Sequence, residues 1–270
     1  MSILQAVVMG LIQGATEFLP VSSSGHLVLV PWLLGWQDPG LTYDTVVHLG
    51  TLAALVFYFR GQILQLLSAW WHSLHRRSLA TDQSRLAWLI LVSVVPGALM
   101  GCFGAGFFRR LFTSPRAVSL MLLATATLLL VSERIGCKRG ALREMHAGHA
   151  LLIGLAQGCA IAPGISRSGA TIAAGLMLDL RRDEAARFSF LMAIPIIAGA
   201  AGVQVLRNAF AGDILGQAPH LVAGFLTALL AGYTAIRFLL DQLCRHSLRP
   251  FAYYCLALGS LGLALGLFPR

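Results

Sequence analysis

One polar pattern interrupts this apolar chain twice and predicts that the protein consists of two related halves. The pattern covers residues 13–25 and again residues 157–169, so its copies lie 144 positions apart in a chain of 270 residues. Each copy begins with Gln-Gly, contains a Pro and closes with three polar residues before a Gly: Ser-Ser-Ser-Gly in the first copy, Ser-Arg-Ser-Gly in the second. We place the halves at about residues 1–135 and about residues 145–270.

The composition places the chain in a membrane. Hydrophobic residues make up 57% of it and charged residues only 11%, with a mean hydropathy of +0.76; a soluble fold would leave much of this apolar surface without a core to enter. A helix needs about 20 mainly apolar residues to cross the hydrocarbon layer. We expect an all-α polytopic membrane protein, a single integral membrane domain over residues 1–270. Its six predicted spans are residues 44–60, 86–106, 115–132, 184–205, 219–240 and 250–268.

Two segments, residues 1–36 and 147–180, do not fit the spanning pattern. Each contains two short apolar stretches separated by the polar cluster, and neither stretch is long enough to span. An ordinary interfacial turn with a Ser N-cap would explain one such cluster. Two matched clusters favour re-entrant helix-loop-helix hairpins, whose irregular backbone must be buried in protein or line a wet cavity.

Each half then consists of one hairpin and three spans, and this odd number of crossings inserts the second half from the opposite face. The expected repeats have inverted topology, and such repeats usually enclose a binding site at their interface. Fourteen Lys and Arg residues fall on one face and five on the other. Because cationic loops stay in the cytoplasm, we expect both termini outside. The five cations of the outer face are Arg109, Arg110, Arg116, Arg207 and Arg270.

The net charge of +9 follows from these cytoplasmic loops and attracts anionic lipid. No nucleic-acid partner is expected, since the basic residues form no stripe with interleaved aromatic residues. The charged run at residues 181–184 is interpreted as a solvated helix start.

Ionisable residues in the hairpins are the candidates for function, because such groups are costly at membrane depth. The first hairpin contains Glu17 and His26, and the second contains Arg167. Arginine, serine hydroxyls and helix N-termini suit the oxygens of a phosphate. Glu17 would repel a phosphate, so we expect it to bind a hard divalent cation or to act as a base. Together with a Ser or His nucleophile, this set indicates phosphoryl transfer.

Other interpretations remain open at this stage. A lone histidine such as His26 is more often a hydrogen-bonded packing residue. A site role for Asp44 or His48, which lie four residues apart at the start of the first span, is left open. Inverted repeats with broken helices are also typical of secondary transporters, so a lipid-phosphate transporter or flippase could use the same anion site. A structural scaffold would leave the buried charges unexplained.

The two copies resemble the signatures of the undecaprenyl-diphosphate phosphatase family, also called the bacitracin-resistance proteins. Residues 13–26 have the sequence QGATEFLPVSSSGH, which is similar to the family's [EQ]-x-x-x-E and P-V-S-S-[ST]-G-H motifs. Residues 163–171 have the sequence PGISRSGAT, which is similar to its P-G-x-S-R-S-G-A-T motif. The resemblance extends to the chain length, the two hairpins and the six spans.

The resemblance implies a membrane phosphatase that hydrolyses undecaprenyl diphosphate to undecaprenyl phosphate and inorganic phosphate, recycles this carrier lipid for cell-wall synthesis and confers bacitracin resistance. It implies catalytic roles for Glu17, Ser23, His26 and Arg167. Our hypothesis is that Ser23 attacks with His26 as its base; His26 as the nucleophile is the alternative. The implied substrate-binding residues are Ser22, Ser24, Gly25, Ser166, Ser168, Gly169 and Thr171.

The resemblance also implies a divalent cation, Mg²⁺ or Ca²⁺, held by Glu17 and Gln13. Gln13 stands where many members of the family have Glu, so one anionic ligand is absent. The expected partner is a polyprenyl diphosphate lipid, and a homodimer is compatible with this interpretation. We expect the chain in the bacterial cytoplasmic (inner) membrane, with its active site open toward the outer face.

Overall fold

The fold, taken from a computed structural model, is helical apart from one isolated β-bridge between Gly140 and Leu180 in the residues described. The structure describes residues 1–112, 114–136, 138–208 and 214–266, without the side chains of residues 105, 107–112, 205, 207, 208 and 214–216. Within these ranges it has a 3₁₀ turn (Leu142–Glu144) and ten α-helices. The helices are α1 (Ile3–Phe18), α2 (Ser23–Leu34), α3 (Leu41–Arg76), α4 (Asp82–Phe112), α5 (Pro115–Arg134), α6 (Ala147–Cys159), α7 (Arg167–Met177), α8 (Arg182–Asn208), α9 (Ile214–Arg245) and α10 (Arg249–Gly266).

Five helices are long and apolar enough to cross a membrane, which confirms the polytopic membrane class and bears out five predicted spans. These are Leu41–Arg76, Asp82–Gly104, Pro115–Arg134, Arg182–Gln204 and Gln217–Arg245. The sixth predicted span coincides with α10, which is helical, but its described residues do not meet the same standard of length and apolarity. Residues 267 and 268 of that prediction lie outside the described residues, as do Arg270 and the side chains of Arg109, Arg110 and Arg207.

Each repeated motif forms two short helices joined by a loop, as the sequence predicted. Residues 19–22 connect α1 to α2, and residues 160–166 connect α6 to α7. The helices α1, α2 and α6 are apolar but shorter than a membrane span. Two hairpins of this kind therefore lie beside the long helices, one in each half of the chain.

The first Ser of each polar triad caps the returning helix. Ser22 Oγ accepts the Gly25 N–H at 3.2 Å, and Ser166 Oγ accepts the Gly169 N–H at 3.0 Å. Such caps satisfy backbone donors that the start of a helix leaves unpaired. The two copies of the sequence pattern therefore build the same local structure.

The two halves pack against each other in a reciprocal way. Helix α1 of the first hairpin lies along α9, while α6 of the second hairpin lies along α4. Helices α3 and α8 contact each other, and so do α5 and α10. The entering helix of each hairpin is thus held by a long helix of the opposite half.

Glycines allow the hairpin helices to approach the long helices closely. Gly10 and Gly14 in α1 occupy the same repeat positions as Gly154 and Gly158 in α6. A methyl group at Gly14 would lie 2.5 Å from the Ala228 carbonyl oxygen of α9. Small residues spaced by four are the usual device for close helix contact in membranes, so this spacing fixes the depth at which each hairpin sits.

An aromatic cluster holds the end of α1 against the second half. Phe18 packs edge-on against Phe190 of α8, with ring centroids 5.5 Å apart at 85°. Phe190 in turn lies 6.3 Å from Phe59 of α3. All three side chains are buried. Glu17, the residue before Phe18, therefore lies where α1, α3 and α8 meet.

An ion pair with a buried carboxylate ties α5 to the start of α8. Glu133 accepts two hydrogen bonds from Arg182, at 2.9 and 2.6 Å, and a third from the Leu248 backbone N–H at 2.8 Å. The interpretation of the charged run as a solvated helix start is therefore wrong for Arg182. Its guanidinium joins an internal carboxylate, because Glu133 is 7% exposed and needs a partner at that depth.

Candidate active site

The middle residues of the two polar triads meet at one carboxylate. Ser23 is the first residue of α2, and Arg167 is the first residue of α7. Ser23 Oγ donates a hydrogen bond to Glu17 Oε2 at 2.6 Å, and Arg167 Nη2 donates one to Glu17 Oε1 at 2.9 Å. Glu17 is only 8% exposed. A buried carboxylate therefore joins a hydroxyl of the first half to a guanidinium of the second.

Two further polar residues surround Glu17. Gln13, one turn earlier on α1, donates from Nε2 to Glu17 Oε2 at 3.0 Å. His48 Nε2 of α3 lies 3.7 Å from the same oxygen, which is beyond hydrogen-bond distance. The other ring nitrogen, Nδ1, lies 2.7 Å from the Asp44 carbonyl oxygen and must carry hydrogen, because a carbonyl only accepts.

Helix α8 holds Arg167 in place through Ser189. Its Nη1 donates to the Ser189 carbonyl oxygen at 3.3 Å. Thr171 Oγ1 donates to the Arg167 carbonyl at 2.8 Å and lies 2.6 Å from Ser189 Oγ. Thr171 and Ser189 are fully or almost fully buried. The guanidinium is therefore preorganised rather than mobile at the edge of the site.

The outer serines of the triads hold the two loops in shape. Ser22 Oγ lies 3.3 Å from Ser24 Oγ, and Ser166 Oγ lies 3.2 Å from Ser168 Oγ. Ser168 Oγ also donates to the Leu19 carbonyl oxygen at 3.1 Å, which joins the second loop to the first. These hydroxyls make local contacts, and the two capping residues, Ser22 and Ser166, are nearly inaccessible to solvent.

Glycines bring the two loops into direct contact. A methyl group at Gly25 would lie 3.4 Å from Gly164 Cα, and one at Gly169 would lie 3.4 Å from Pro20 Cβ. Thr125 of α5 supports this junction, since its Oγ1 donates to the Gly164 carbonyl at 2.9 Å. The two hairpin tips therefore meet around Glu17, as the repeat predicted.

His26 is held apart from this cluster. Its Nδ1 lies 2.7 Å from the Ser22 carbonyl oxygen, and its Nε2 lies 2.7 Å from the Tyr254 hydroxyl of α10. The His26 and Tyr254 rings are stacked at 5.6 Å and 6°. His26 is 5% exposed. Both ring nitrogens therefore have partners other than Ser23 and Glu17.

Comparison with known proteins assigns the chain to a family. A family model described as bacitracin resistance protein BacA matches residues 6–261. The chain belongs to the BacA family. Similar curated members are the undecaprenyl-diphosphatases of Rubrobacter xylanophilus, at 47% identity over 98% of both chains, of Pelobacter propionicus, at 44% over 96% of this chain and 95% of the relative, and of Geobacter sulfurreducens, at 44% over 100% of both. The resemblance inferred from the two motifs is thereby confirmed.

In this member of the BacA family, four of the residues predicted from sequence form one cluster: Gln13, Glu17, Ser23 and Arg167. His26 contacts the loop that carries Ser23 instead. Sequence reasoning missed two neighbours of the site, Ser189 and Tyr254, and left a site role for a third, His48, open. His48 had a usable signal, an ionisable side chain within a predicted span. Ser189 and Tyr254 had none, because either is ordinary in a membrane helix.

Two oxygen-bearing residues of α1, Gln13 and Glu17, are the candidate ligands for the hard cation that the motif resemblance implies. No cluster of three or more His, Cys, Asp or Glu side chains suited to a metal occurs in the described part of the chain. However, Gln13 Oε1 is fully buried without a described hydrogen-bond partner, and Glu17 lies four residues later on the same face of α1. One anionic and one neutral oxygen are compatible with Mg²⁺, which keeps waters and binds substrate phosphate oxygens.

Proposed function

We propose that the chain is a membrane phosphatase that hydrolyses undecaprenyl diphosphate to undecaprenyl phosphate and inorganic phosphate. The observation that carries this proposal is the Ser23–Glu17–Arg167 cluster, in which a nucleophile, a base and an anion-binding cation share one buried site. The names of the similar BacA proteins support the substrate. The activity would recycle the carrier lipid for cell-wall synthesis and so confer bacitracin resistance.

The first step is attack of Ser23 Oγ on the terminal phosphorus of the lipid diphosphate. The Ser23 proton passes to Glu17 Oε2, its acceptor at 2.6 Å, as the new O–P bond forms. The bond from the terminal phosphorus to the bridging oxygen breaks, and undecaprenyl phosphate leaves with that electron pair. A phosphoserine remains at Ser23.

The second step releases inorganic phosphate. A water molecule attacks the phosphorus of the phosphoserine, and the bond from phosphorus to Ser23 Oγ breaks. Glu17 returns its proton to Ser23 Oγ as that oxygen leaves. The carboxylate and the hydroxyl are then restored, and the net reaction consumes one water.

Arg167 stabilises the charge on the phosphoryl oxygens in both steps. A guanidinium has five N–H donors, and the described contacts to Glu17 and Ser189 use two of them. The remaining donors can bind phosphate oxygens, whose charge must be neutralised in phosphoryl transfer. Because α8 already fixes the guanidinium, little reorganisation accompanies substrate binding.

Glu17 replaces His26 as the base in this mechanism. The sequence-based hypothesis gave that role to His26, but the Ser23 hydroxyl donates its hydrogen bond to Glu17. The two His26 ring nitrogens are engaged by Ser22 and Tyr254. The arrangement therefore supports Ser23 as the nucleophile and Glu17 as the base.

The divalent cation is part of the proposal. Glu17 and Gln13 would hold Mg²⁺ or Ca²⁺, and the cation would offset the negative charge of the bound diphosphate. Gln13 contributes a neutral oxygen, so the protein itself supplies a single negative charge to this cation.

The topology follows from the same interface. We propose two inverted repeats in the bacterial inner membrane, with both termini and the active-site opening at the outer face. The reciprocal packing of α1 on α9 and α6 on α4 supports this arrangement, as does the distribution of cations between the loops. The homodimer stays a prediction.

The test is phosphate release from undecaprenyl diphosphate by the purified protein in detergent. We expect release by the wild type that stops with EDTA and returns with Mg²⁺ or Ca²⁺. Arg167→Ala and Glu17→Ala should each lose at least about 100-fold in kcat, the scale of removing a charge-stabilising group. Arg181→Ala is the matched control, because Arg181 is an exposed arginine paired with Asp183. Tight lipid binding without phosphate release by well-folded wild type would favour the transporter.

A further inference from the structure

A continuous hydrogen-bonded chain runs from α10 to the residue before the nucleophile. The Ser22 carbonyl oxygen can only accept, so His26 Nδ1, at 2.7 Å, carries hydrogen and donates to it. In the neutral ring Nε2 is then an acceptor. The Tyr254 hydroxyl, 2.7 Å from Nε2, is therefore the donor. The protons are ordered in one direction, from Tyr254 through His26 to Ser22.

The receiving end of this chain is an unusual backbone. Ser22 has φ = 70° and ψ = 95°, a region that residues other than glycine rarely adopt. Its carbonyl also accepts the His26 backbone N–H at 3.2 Å. Ser23 follows directly, and the Ser22 conformation sets the direction in which the Ser23 hydroxyl leaves the helix start.

We propose that Tyr254 is a positioning residue for the hydrolysis: it orients His26, and His26 holds the Ser22 backbone so that Ser23 Oγ points at Glu17. The inference rests on the proposed function for its kinetic consequences. The second half of the chain thereby controls the nucleophile of the first half through α10. Tyr254 touches neither Glu17 nor Ser23 among the described contacts, so it acts through His26.

The geometry distinguishes this role from catalysis by His26. A histidine that transfers protons to or from Ser23 needs a ring nitrogen within hydrogen-bond reach of that hydroxyl. Here Nδ1 is bound to a backbone carbonyl and Nε2 to a phenol. The stacked Tyr254 ring also keeps the imidazole in its plane. What His26 supplies to the reaction is a fixed N–H at the δ position.

The experiment is a double-mutant cycle with Tyr254→Phe and His26→Asn in undecaprenyl diphosphate hydrolysis. Asn keeps an N–H donor at the δ position but has no group at the ε position. Tyr254→Phe keeps the stacked ring and removes only the hydroxyl. Tyr253→Phe is the matched control, since Tyr253 is the adjacent tyrosine, is exposed like Tyr254 (59% against 47%) and makes no described contact with His26. His26→Gln tests an N–H donor at the ε position with none at the δ position, because the amide nitrogen of Gln reaches the ε position.

We expect Tyr254→Phe to lower kcat roughly 10- to 100-fold with KM unchanged, the scale of a small misplacement of a reacting group. Tyr253→Phe should match the wild type. His26→Asn should retain more activity than His26→Gln, and Tyr254→Phe should add no further loss in the His26→Asn background. Thermal unfolding in detergent shows that each variant is folded.

Two kinetic results would overturn the proposal: an unchanged kcat in Tyr254→Phe, or equal losses from that change in both backgrounds. Equal losses would mean that Tyr254 acts independently of His26, and a higher KM at constant kcat would mean that Tyr254 contributes to substrate binding. A readout that needs no turnover is the ¹⁵N NMR spectrum of histidine-labelled protein. It should show His26 as the Nδ1–H tautomer, with an Nε2 shift that changes in Tyr254→Phe. The other tautomer would refute the chain of donors even if the protein hydrolysed nothing.

Discussion

At the scale of the residue, Glu17 acts through two different oxygens. Oε1 receives the guanidinium of Arg167, and Oε2 receives the Ser23 hydroxyl together with the Gln13 amide. The first oxygen is therefore committed to holding the two halves together, and the second is the one that can take a proton. In the proposed mechanism, one carboxylate thus combines a structural ion pair with the role of a base.

This division of roles between the two Glu17 oxygens predicts a phosphoserine at Ser23. Rapid quenching during turnover of substrate labelled in its terminal phosphate should trap a phosphoenzyme whose label survives acid, and peptide mapping should place it on Ser23. Ser23→Ala should form none, because the attacking oxygen is absent. An acid-labile label on His26 would contradict the mechanism, since it would make the imidazole the nucleophile.

The sequence located the charged core of the site but not its supports. Glu17 and Arg167 could be predicted because charge at membrane depth is costly and rarely lacks a role. The function of His26 could not, because it depends on which atoms its ring nitrogens meet. Those atoms belong to Ser22, four residues away, and to Tyr254, 228 residues away. No local pattern encodes the second contact.

At the scale of the element, the hairpins depend on close packing against the opposite half. Gly154 of α6 lies so near α4 that an added methyl group would overlap the Ser93 carbonyl oxygen. That obstacle is backbone, which cannot turn aside as a flexible side chain can. Helix α6 carries the loop that leads to Arg167, so its depth sets the position of the guanidinium.

Gly154→Ala should therefore destabilise the protein by about 1–3 kcal/mol, the usual cost of overpacking. It should also lower activity, because α6 must move away from α4. Gly199→Ala, on α8 with nothing within 4 Å of the added methyl group, should be neutral or slightly stabilising, since Ala favours a helix over Gly. Melting temperatures in detergent measure the difference. Equal melting temperatures for both variants would mean that α6 and α4 are not held at this distance.

Helix type and position were predictable because long apolar runs have few alternatives in a membrane. The helix ends were less predictable. Helix α3 begins at Leu41 and continues to Arg76, well past the predicted end at residue 60. The continuation contains Trp70 and Trp71, and packing on α4 rather than apolarity alone sustains it. Arg182 shows the same limit, because only tertiary structure brings Glu133 to it.

At the scale of the whole molecule, the repeats are alike in structure and different in chemistry. Both triads cap a helix in the same way, yet the second half has Ile161 and Ala170 where the first has Glu17 and His26. In the proposed mechanism the first half supplies the nucleophile and the base, and the second supplies the Arg167 guanidinium. In that mechanism neither half contains a complete site, and the packing of the two halves against each other assembles it.

Inverted repeats with three spans each require that both ends of the chain lie on the same side of the membrane. The fourteen-to-five distribution of cations predicts that this side is the outer one. Alkaline phosphatase fused after residue 270 should therefore be active in a bacterial host, and green fluorescent protein fused there should be dark. The same reporters inserted at residues 77–81, between α3 and α4, should behave in the opposite way, because that cationic link is predicted to be cytoplasmic. Fluorescence at both positions would mean an even number of crossings between residues 77–81 and the C-terminus, which contradicts three crossings in each half. A fluorescent C-terminus with active alkaline phosphatase at residues 77–81 would keep the inverted repeats and reverse their orientation in the membrane.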